Sequence, residues 1–332
     1  MEYVLDLTQS FLHAAIQHPF YSFLGIFILF CFLLRLYSKV TMGICTCDQD
    51  MRGKTVLITG ASAGVGKAAA FDLARRNARV LLACRNIEKA NKVAEEIKKT
   101  TGNQNITVRW LDLSSFDSVR ACAKNVLETE SKLDVLINNA GILGVAGQKM
   151  TPDGCELIMQ SNHFGHFLLT RLLLDLMKRS APSRIIVVAS SGHNFHKFDI
   201  NDLNNNRNLH FFYVYANSKL ANILFTKELA SRLEGTEVTV NALCPGSVKT
   251  DIFDTVDSWL TLGTGFTHLI VGKTCEEGAQ TTIHLAVDPA LEKTTGKYFV
   301  DCKEATIVKE GLDKMLAKRV FDISEEIVGI KY

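Results

Sequence analysis

The stretch Thr59-Gly60-Ala61-Ser62-Ala63-Gly64-Val65-Gly66 constrains this chain more than any other. It follows the apolar run Thr55-Val56-Leu57-Ile58, which reads as a short buried strand. It precedes Lys67-Ala68-Ala69-Ala70-Phe71-Asp72-Leu73-Ala74, which reads as a helix. A strand, a glycine-rich turn and a helix N-terminus together make a seat for a pyrophosphate. The glycines let the backbone turn tightly and approach the phosphates, while exposed N–H groups and the helix dipole supply positive potential. Taken alone, the same pattern is also that of an ordinary strand-to-helix turn. The context downstream decides between them.

That context is a repeated strand–helix alternation. Further strands are predicted at Arg79–Cys84, Ile106–Leu111, Leu133–Asn138, Arg184–Ala189, Val238–Leu243 and Gly296–Val300. Helices are predicted at Glu88–Lys99, Ser115–Thr129, Gly154–Arg179, Tyr215–Leu233 and Thr274–Ala286. Such alternation implies an α/β fold, a Rossmann-type doubly wound parallel sheet covered on both faces. The 332 residues suffice for one large domain with extra segments. A net charge of +2 gives no reason to expect a nucleic-acid partner. Nine cysteines without a CxxC pair indicate neither a zinc site nor a dithiol redox motif, and no metal is expected.

Four segments follow from the sequence: an N-terminal segment 1–19, a transmembrane anchor 20–40, a linker 41–52 and the catalytic domain 53–332. The anchor is an uncharged apolar core from Phe20 to Leu34, extended past Arg35 to Tyr37, with Tyr21 and Tyr37 near its ends. Arg35 can snorkel to the headgroups. A secretory signal would want a basic start and a small-residue cleavage site, yet the start carries Glu2 and Asp6. A buried core helix is the remaining alternative. Arg35, Lys39, Arg52 and Lys54 all follow the span, with no Lys or Arg before it, which places the domain in the cytosol. Cys45 and Cys47 are either linker cysteines or palmitoylation sites.

More signals sit at strand ends, where ligands bind in such sheets. They are Asp112-Leu113, Asn138-Asn139-Ala140-Gly141, Ser190-Ser191 and Pro245-Gly246, with Tyr215-Ala216-Asn217-Ser218-Lys219 opening a helix. Together these motifs resemble the short-chain dehydrogenase/reductase family from about Lys54 to Val300. The anchor, the run Tyr-Ala-Asn-Ser-Lys-Leu-Ala-Asn and the second-strand end Ala-Cys-Arg-Asn are similar, more narrowly, to membrane-anchored retinol dehydrogenases.

Tyr215 and Lys219, four apart, share a helix face, where an ammonium lowers a phenol's pKa and suits it to proton exchange with a substrate oxygen. The resemblance implies a catalytic set of Asn162, Ser191, Tyr215 and Lys219. In it Ser191 and Tyr215 hold the substrate oxygen, Lys219 also holds the nicotinamide ribose, and Asn162 supports a proton relay through water. It further implies cofactor contacts at Gly60, Ser62, Gly64, Val65, Gly66, Arg85, Asp112, Leu113, Asn139, Ala140, Gly141, Pro245, Gly246, Val248 and Thr250. The second strand ends in Cys84-Arg85 with no carboxylate to repel a 2′-phosphate, which points to NADP(H). His193 and His196 are expected to be solvated loop residues. The apolar stretch Asp251–Gly272 is where the family places a substrate lid, with a packed helix on the domain surface as the alternative reading. The implied protein is an endoplasmic-reticulum enzyme interconverting a lipophilic alcohol and its carbonyl, first of all retinol and retinal. A reductase of other lipid aldehydes or sterols competes with this, as does a non-catalytic membrane-bound scaffold. Oligomeric state is left open.

Overall fold

The computed structural model describes residues 19–144, 150–195, 198–204, 209–248 and 272–330. Among these residues eight strands form one sheet in the order β3-β2-β1-β4-β5-β6-β7-β8. They are β1 (Thr55–Thr59), β2 (Arg79–Cys84), β3 (Ile106–Trp110), β4 (Val135–Asn138), β5 (Ser183–Val188), β6 (Val238–Cys244), β7 (Tyr298–Val300) and β8 (Lys303–Glu304). The first seven run parallel, and β8 turns back against β7. Strand order reverses between β1 and β4, the crevice where doubly wound sheets take their ligands.

Both faces of the sheet are packed, so the central strands read as continuous apolar runs. Every residue of β1, β4 and β6 is buried. Alternation sorts them by face. Leu57, Leu81 and Leu136 join Phe167 and Phe225 on one side, while Val56, Ile58, Leu82 and Ile137 join Ala69, Leu73 and Ile283 on the other.

The helices are α1 (Pro19–Thr41), α2 (Gly64–Arg75), α3 (Ile87–Thr101), α4 (Phe116–Thr129), α5 (Gly165–Arg179), α6 (Phe211–Arg232), α7 (Cys275–Val287) and α8 (Lys314–Val328). Their starts follow from local chemistry. Asn86 caps α3 by accepting the Lys89 N–H, and Ser115 caps α4 from Ser118. Thr274 and Glu277 close a reciprocal capping box on α7.

Two elements differ from the sequence expectation. The helix predicted from Gly154 begins instead with one turn at Leu157–Met159, because Gly154 sits at φ +75° in a turn closed by Thr151. It then widens into a π-helical turn, Gln160–Phe164, before α5. The second difference is α8, which the alternation reading did not contain. Asp313 caps it by accepting the Met315 and Leu316 N–H groups, and Gly329 ends it at φ +67°. Its buried face, Ala317, Val320, Phe321, Ser324 and Val328, packs on α6 and α5.

Helix α1 is long and apolar enough to cross a membrane, and the side chains of its apolar window are exposed rather than folded into the core. The expected linker 41–52 is not loose. Met51 is buried and its N–H donates to Arg76 O, and Arg76 Nη1 holds Cys47 O at 2.7 Å.

Candidate active site

The glycine turn is built as its sequence requires. Gly60 and Gly64 hold left-handed φ of +67° and +56°, conformations that side chains penalise. A Cβ on Gly60 would lie 2.9 Å from Ala140 Cα, and one on Gly66 only 2.6 Å from Gly60 O. Helix α2 starts at Ala63, which offers no side-chain cap, so its first N–H groups are left for a ligand. A bare helix N-terminus over a tight glycine cradle fits the pyrophosphate of a dinucleotide.

Thr59 locks this turn to β4. Its Oγ1 accepts the Asn139 and Ala140 N–H groups at 2.9 and 3.0 Å and sits 2.8 Å from His166 Nε2. Asn139 Nδ2 donates to Thr59 O at 2.9 Å, so that amide braces the turn instead of pointing outward. Val65 and Val248 are also buried, both against Gly278, and support the cradle from behind. Ser62 lies beside the Cys84 thiol, which burial pushes up in pKa. Asp112 Oδ1 accepts from the backbone and hydroxyl of Ser114, and Leu113 packs on Gly165. Arg85 is exposed at the end of β2 with no ion pair among the described residues, whereas Lys67 is committed to Glu96 at 2.7 Å. Gly246, at φ +84°, follows Pro245 past the end of β6, and its N–H donates to Cys244 Sγ. Thr250, His196 and the expected lid 251–271 lie outside the described residues.

Across the crevice, α6 presents Tyr215 and Lys219. Lys219 is 3 % exposed, and its Nζ donates to Val188 O at 3.2 Å and stands 5.5 Å from the Tyr215 ring centre. Burial pushes the Lys219 ammonium down to about 8 and the Tyr215 phenol up to about 12. The sequence reading expected lysine to favour phenolate. Desolvation is the larger influence, and burial keeps Tyr215 a neutral phenol, the form that donates a proton.

The two serines of the pair differ in exposure. Ser190 lies beside the Tyr215 ring at Gly192, and its side chain draws the phenol's pKa down against burial. Ser191 is exposed and opens a 3-10 turn, Ser191–Phe195, with its N–H on Cys244 Sγ at 3.3 Å. Chain direction changes there, so one residue of register separates the half-buried serine from the exposed one. His193, expected in solvent, is only 3 % exposed, and its Nδ1 donates to Ser190 O at 2.5 Å.

Asn162 lies at the centre of the π-helical turn. Its Oδ1 accepts Ile142 N–H at 2.8 Å, and its Nδ2 donates to Ile142 O and Ser218 Oγ. A Cβ on Gly141 would stand 3.3 Å from both Asn162 Oδ1 and Lys219 Nζ, so the missing side chain leaves open space between them. The widened turn frees Asn162 O, which accepts from His166 Nδ1 and Asn222 Nδ2 at 3.1 Å each. Asn222 in turn pairs with His163, whose Nε2 reaches Ser324 on α8. Burial holds His163 and His166 neutral, down to about 4 and 3. His166 thereby ties the phosphate turn to Asn162 through one imidazole. Sequence reasoning missed this network; the only signal was two histidines flanking Phe164-Gly165.

Fold and site together define a dinucleotide-dependent oxidoreductase. The short chain dehydrogenase family model matches residues 54–261, and the chain belongs to that family. Among curated relatives, retinol dehydrogenase 14 of Homo sapiens is 45 % identical over 295 residues, covering 84 % of this chain and 88 % of that one. Retinol dehydrogenase 11 of Mus musculus is 40 % identical over 306 residues, covering 92 % and 95 %. Among solved structures, an uncharacterized protein from Mycobacterium Paratuberculosis is 30 % identical with a TM-score of 0.69, covering 86 % and 96 %. A short chain dehydrogenase from Escherichia coli CFT073 complexed with NADPH is 26 % identical with a TM-score of 0.61, covering 77 % and 100 %.

Proposed function

We propose that this chain is a membrane-anchored, NADP(H)-dependent oxidoreductase of lipophilic alcohols and their carbonyls, with retinol and retinal as the leading pair. The observation that carries the proposal is the convergence of Ser190, Tyr215, Lys219 and Asn162 beside an uncapped glycine cradle. Identity to retinol dehydrogenases over most of the chain supports the substrate class, and an exposed apolar helix supports a lipid-side supply.

When bound, the nicotinamide supplies or accepts the hydride. Ser190 and Tyr215 hold the substrate oxygen, and Tyr215 gives it a proton during reduction. Lys219 stands with its Nζ 5.5 Å from the Tyr215 ring centre, and the gap over Gly141 between Lys219 Nζ and Asn162 Oδ1 takes a relay water that resupplies the proton. Arg85, planar, charged and without an ion pair among the described residues, stands exposed at the end of β2 and selects the 2′-phosphate. A scaffold that had lost catalysis would have no need of a buried lysine beside an active-site phenol. The domain faces the cytosol, by the charge asymmetry around α1, with the endoplasmic reticulum as the membrane.

The experiment is turnover of retinal by the full chain in lipid vesicles, with NADPH and with NADH. Retinol formation preferring NADPH is expected. No turnover of retinal or of any other lipophilic aldehyde or sterol ketone, with either cofactor, would refute the enzyme reading.

A further inference from the structure

The anchor does not end in a free tether. Lys39, in the last turn of α1, holds both carboxylate oxygens of Glu277 in the first turn of α7. Two residues past the helix, Gly43 lies against the backbone of Asp301, in the β7–β8 turn, so closely that a Cβ would overlap the Asp301 carbonyl. Cys45 N–H then donates to Gln280 Oε1 at 3.0 Å, and Cys47 Sγ reaches Val287 O at the far end of α7. The segment therefore follows α7 from its N-terminus to its C-terminus before entering β1.

This path fixes a direction. In a parallel sheet the helix after a strand starts at the strands' C-terminal edge, where ligands bind, and ends at the opposite edge. Helix α7 lies between β6 and β7, so its N-terminus, with Lys39 beside it, lies at the catalytic edge. Contacts continue inward from there. Asp301 pairs with Lys273, and Lys273 N–H donates to Ser247 O at 2.8 Å. The Lys273 side chain packs over Gly246, whose N–H meets the Cys244 thiol at the floor of the Tyr215 site.

We infer that docking of the anchor onto α7 and Asp301 holds the catalytic edge of the sheet against the bilayer, so that a lipophilic carbonyl passes between bilayer and active site without crossing water. This rests on the proposed enzymatic reading for its substrate and on the apolar length of α1 for its membrane.

Two lysines flanking β7 test the orientation without activity. Lys303 and Lys293 are both exposed, the first at the catalytic edge and the second at the opposite one. With a benzophenone amino acid at either position in the full chain, in phosphatidylcholine vesicles, irradiation is expected to give lipid adducts at 303 and not at 293. Equal adducts, or more at 293, overturn the orientation. Delivery is tested by inserting a flexible Gly/Ser segment between Thr41 and Met42, and separately by Gly43→Val. Each is expected to lower turnover of a long-chain aldehyde dissolved in the vesicles several-fold, leaving a short water-soluble aldehyde unchanged. Equal loss, or no loss, on both aldehydes overturns delivery. Absence of turnover by the unmodified chain counts against the enzymatic reading and takes delivery with it, while the adduct pattern still decides the orientation.

Discussion

Replacing Ser190 by alanine separates the structural assignment from the reading of the serine pair as a motif. Ser190 Oγ accepts the Gly192 N–H at 3.1 Å and lies beside the Tyr215 ring, and it is half-buried at the mouth of the crevice. Its loss removes the polar contact that opposes burial at the phenol, whose pKa stands at about 12 with that contact in place. It also removes the second donor on the substrate oxygen. Donors of this kind are worth roughly 100- to 1,000-fold in turnover. Because a Ser190→Ala cavity admits water as a partial substitute, the lower end is expected: about 100-fold in kcat/KM, or about 2.7 kcal/mol of transition-state stabilisation. Ser191→Ala, at an exposed hydroxyl, is expected to stay within about threefold, as surface substitutions change free energy by about 0.5 kcal/mol. The assay is steady-state reduction of a lipophilic aldehyde with NADPH, alongside fluorescence titration of NADPH binding, which neither variant should change. A large loss in Ser191→Ala with Ser190→Ala near normal would refute the reasoning.

Other expectations follow from the cofactor cradle and from Lys219. Arg85→Ala should reduce the preference for NADPH over NADH by roughly 10-fold, the low end of a charge-assisted hydrogen bond because the side chain is exposed; unchanged preference in paired kcat/KM measurements would remove Arg85 from the cofactor site. Gly66→Ala should weaken NADPH binding by about 10-fold or more in a titration, since overpacking of about 1–3 kcal/mol falls on the turn itself; unaltered affinity would contradict the cradle. As pH rises through about 8, the Lys219 ammonium deprotonates, so reductive kcat/KM should decline above that pH. Tyr215, protonated up to about 12, should add no limb there, and a profile flat to pH 9.5 would contradict the role of Lys219.

How much of this was legible follows from where the information lies. Val56, Leu57 and Ile58 are buried on both faces, so their strand showed as an unbroken apolar run, and the turn beside it required its glycines. The doubly wound order was readable because local period and punctuation carry it. Helix α8 was equally local, with Asp313 as cap, Gly329 as stop and apolar residues at helical spacing, but it lies beyond the strand–helix alternation that organised the reading. What failed was non-local. Which of Ser190 and Ser191 is half-buried and which exposed depends on a one-residue change of direction after β5. His166 is buried because Thr59, 107 residues earlier, offers it a hydroxyl, and His163 because Ser324 does so from α8. The π-helical turn at Asn162 carries the same network, its freed Asn162 carbonyl accepting from His166 and Asn222. The phenol's raised pKa likewise reflects burial, which residue spacing does not encode.

The central claim is that Tyr215 donates the proton that completes carbonyl reduction. Single-turnover reduction of retinal by the NADPH-loaded full chain in vesicles, comparing unmodified protein with Tyr215→Phe, tests it most directly. The expected result is a fall of roughly 100-fold or more in the rate of NADPH oxidation with NADPH affinity unchanged, because general acid catalysis is lost and the cradle at Gly60–Gly66 is untouched. A Tyr215→Phe protein that oxidises NADPH at a near-normal rate would contradict it.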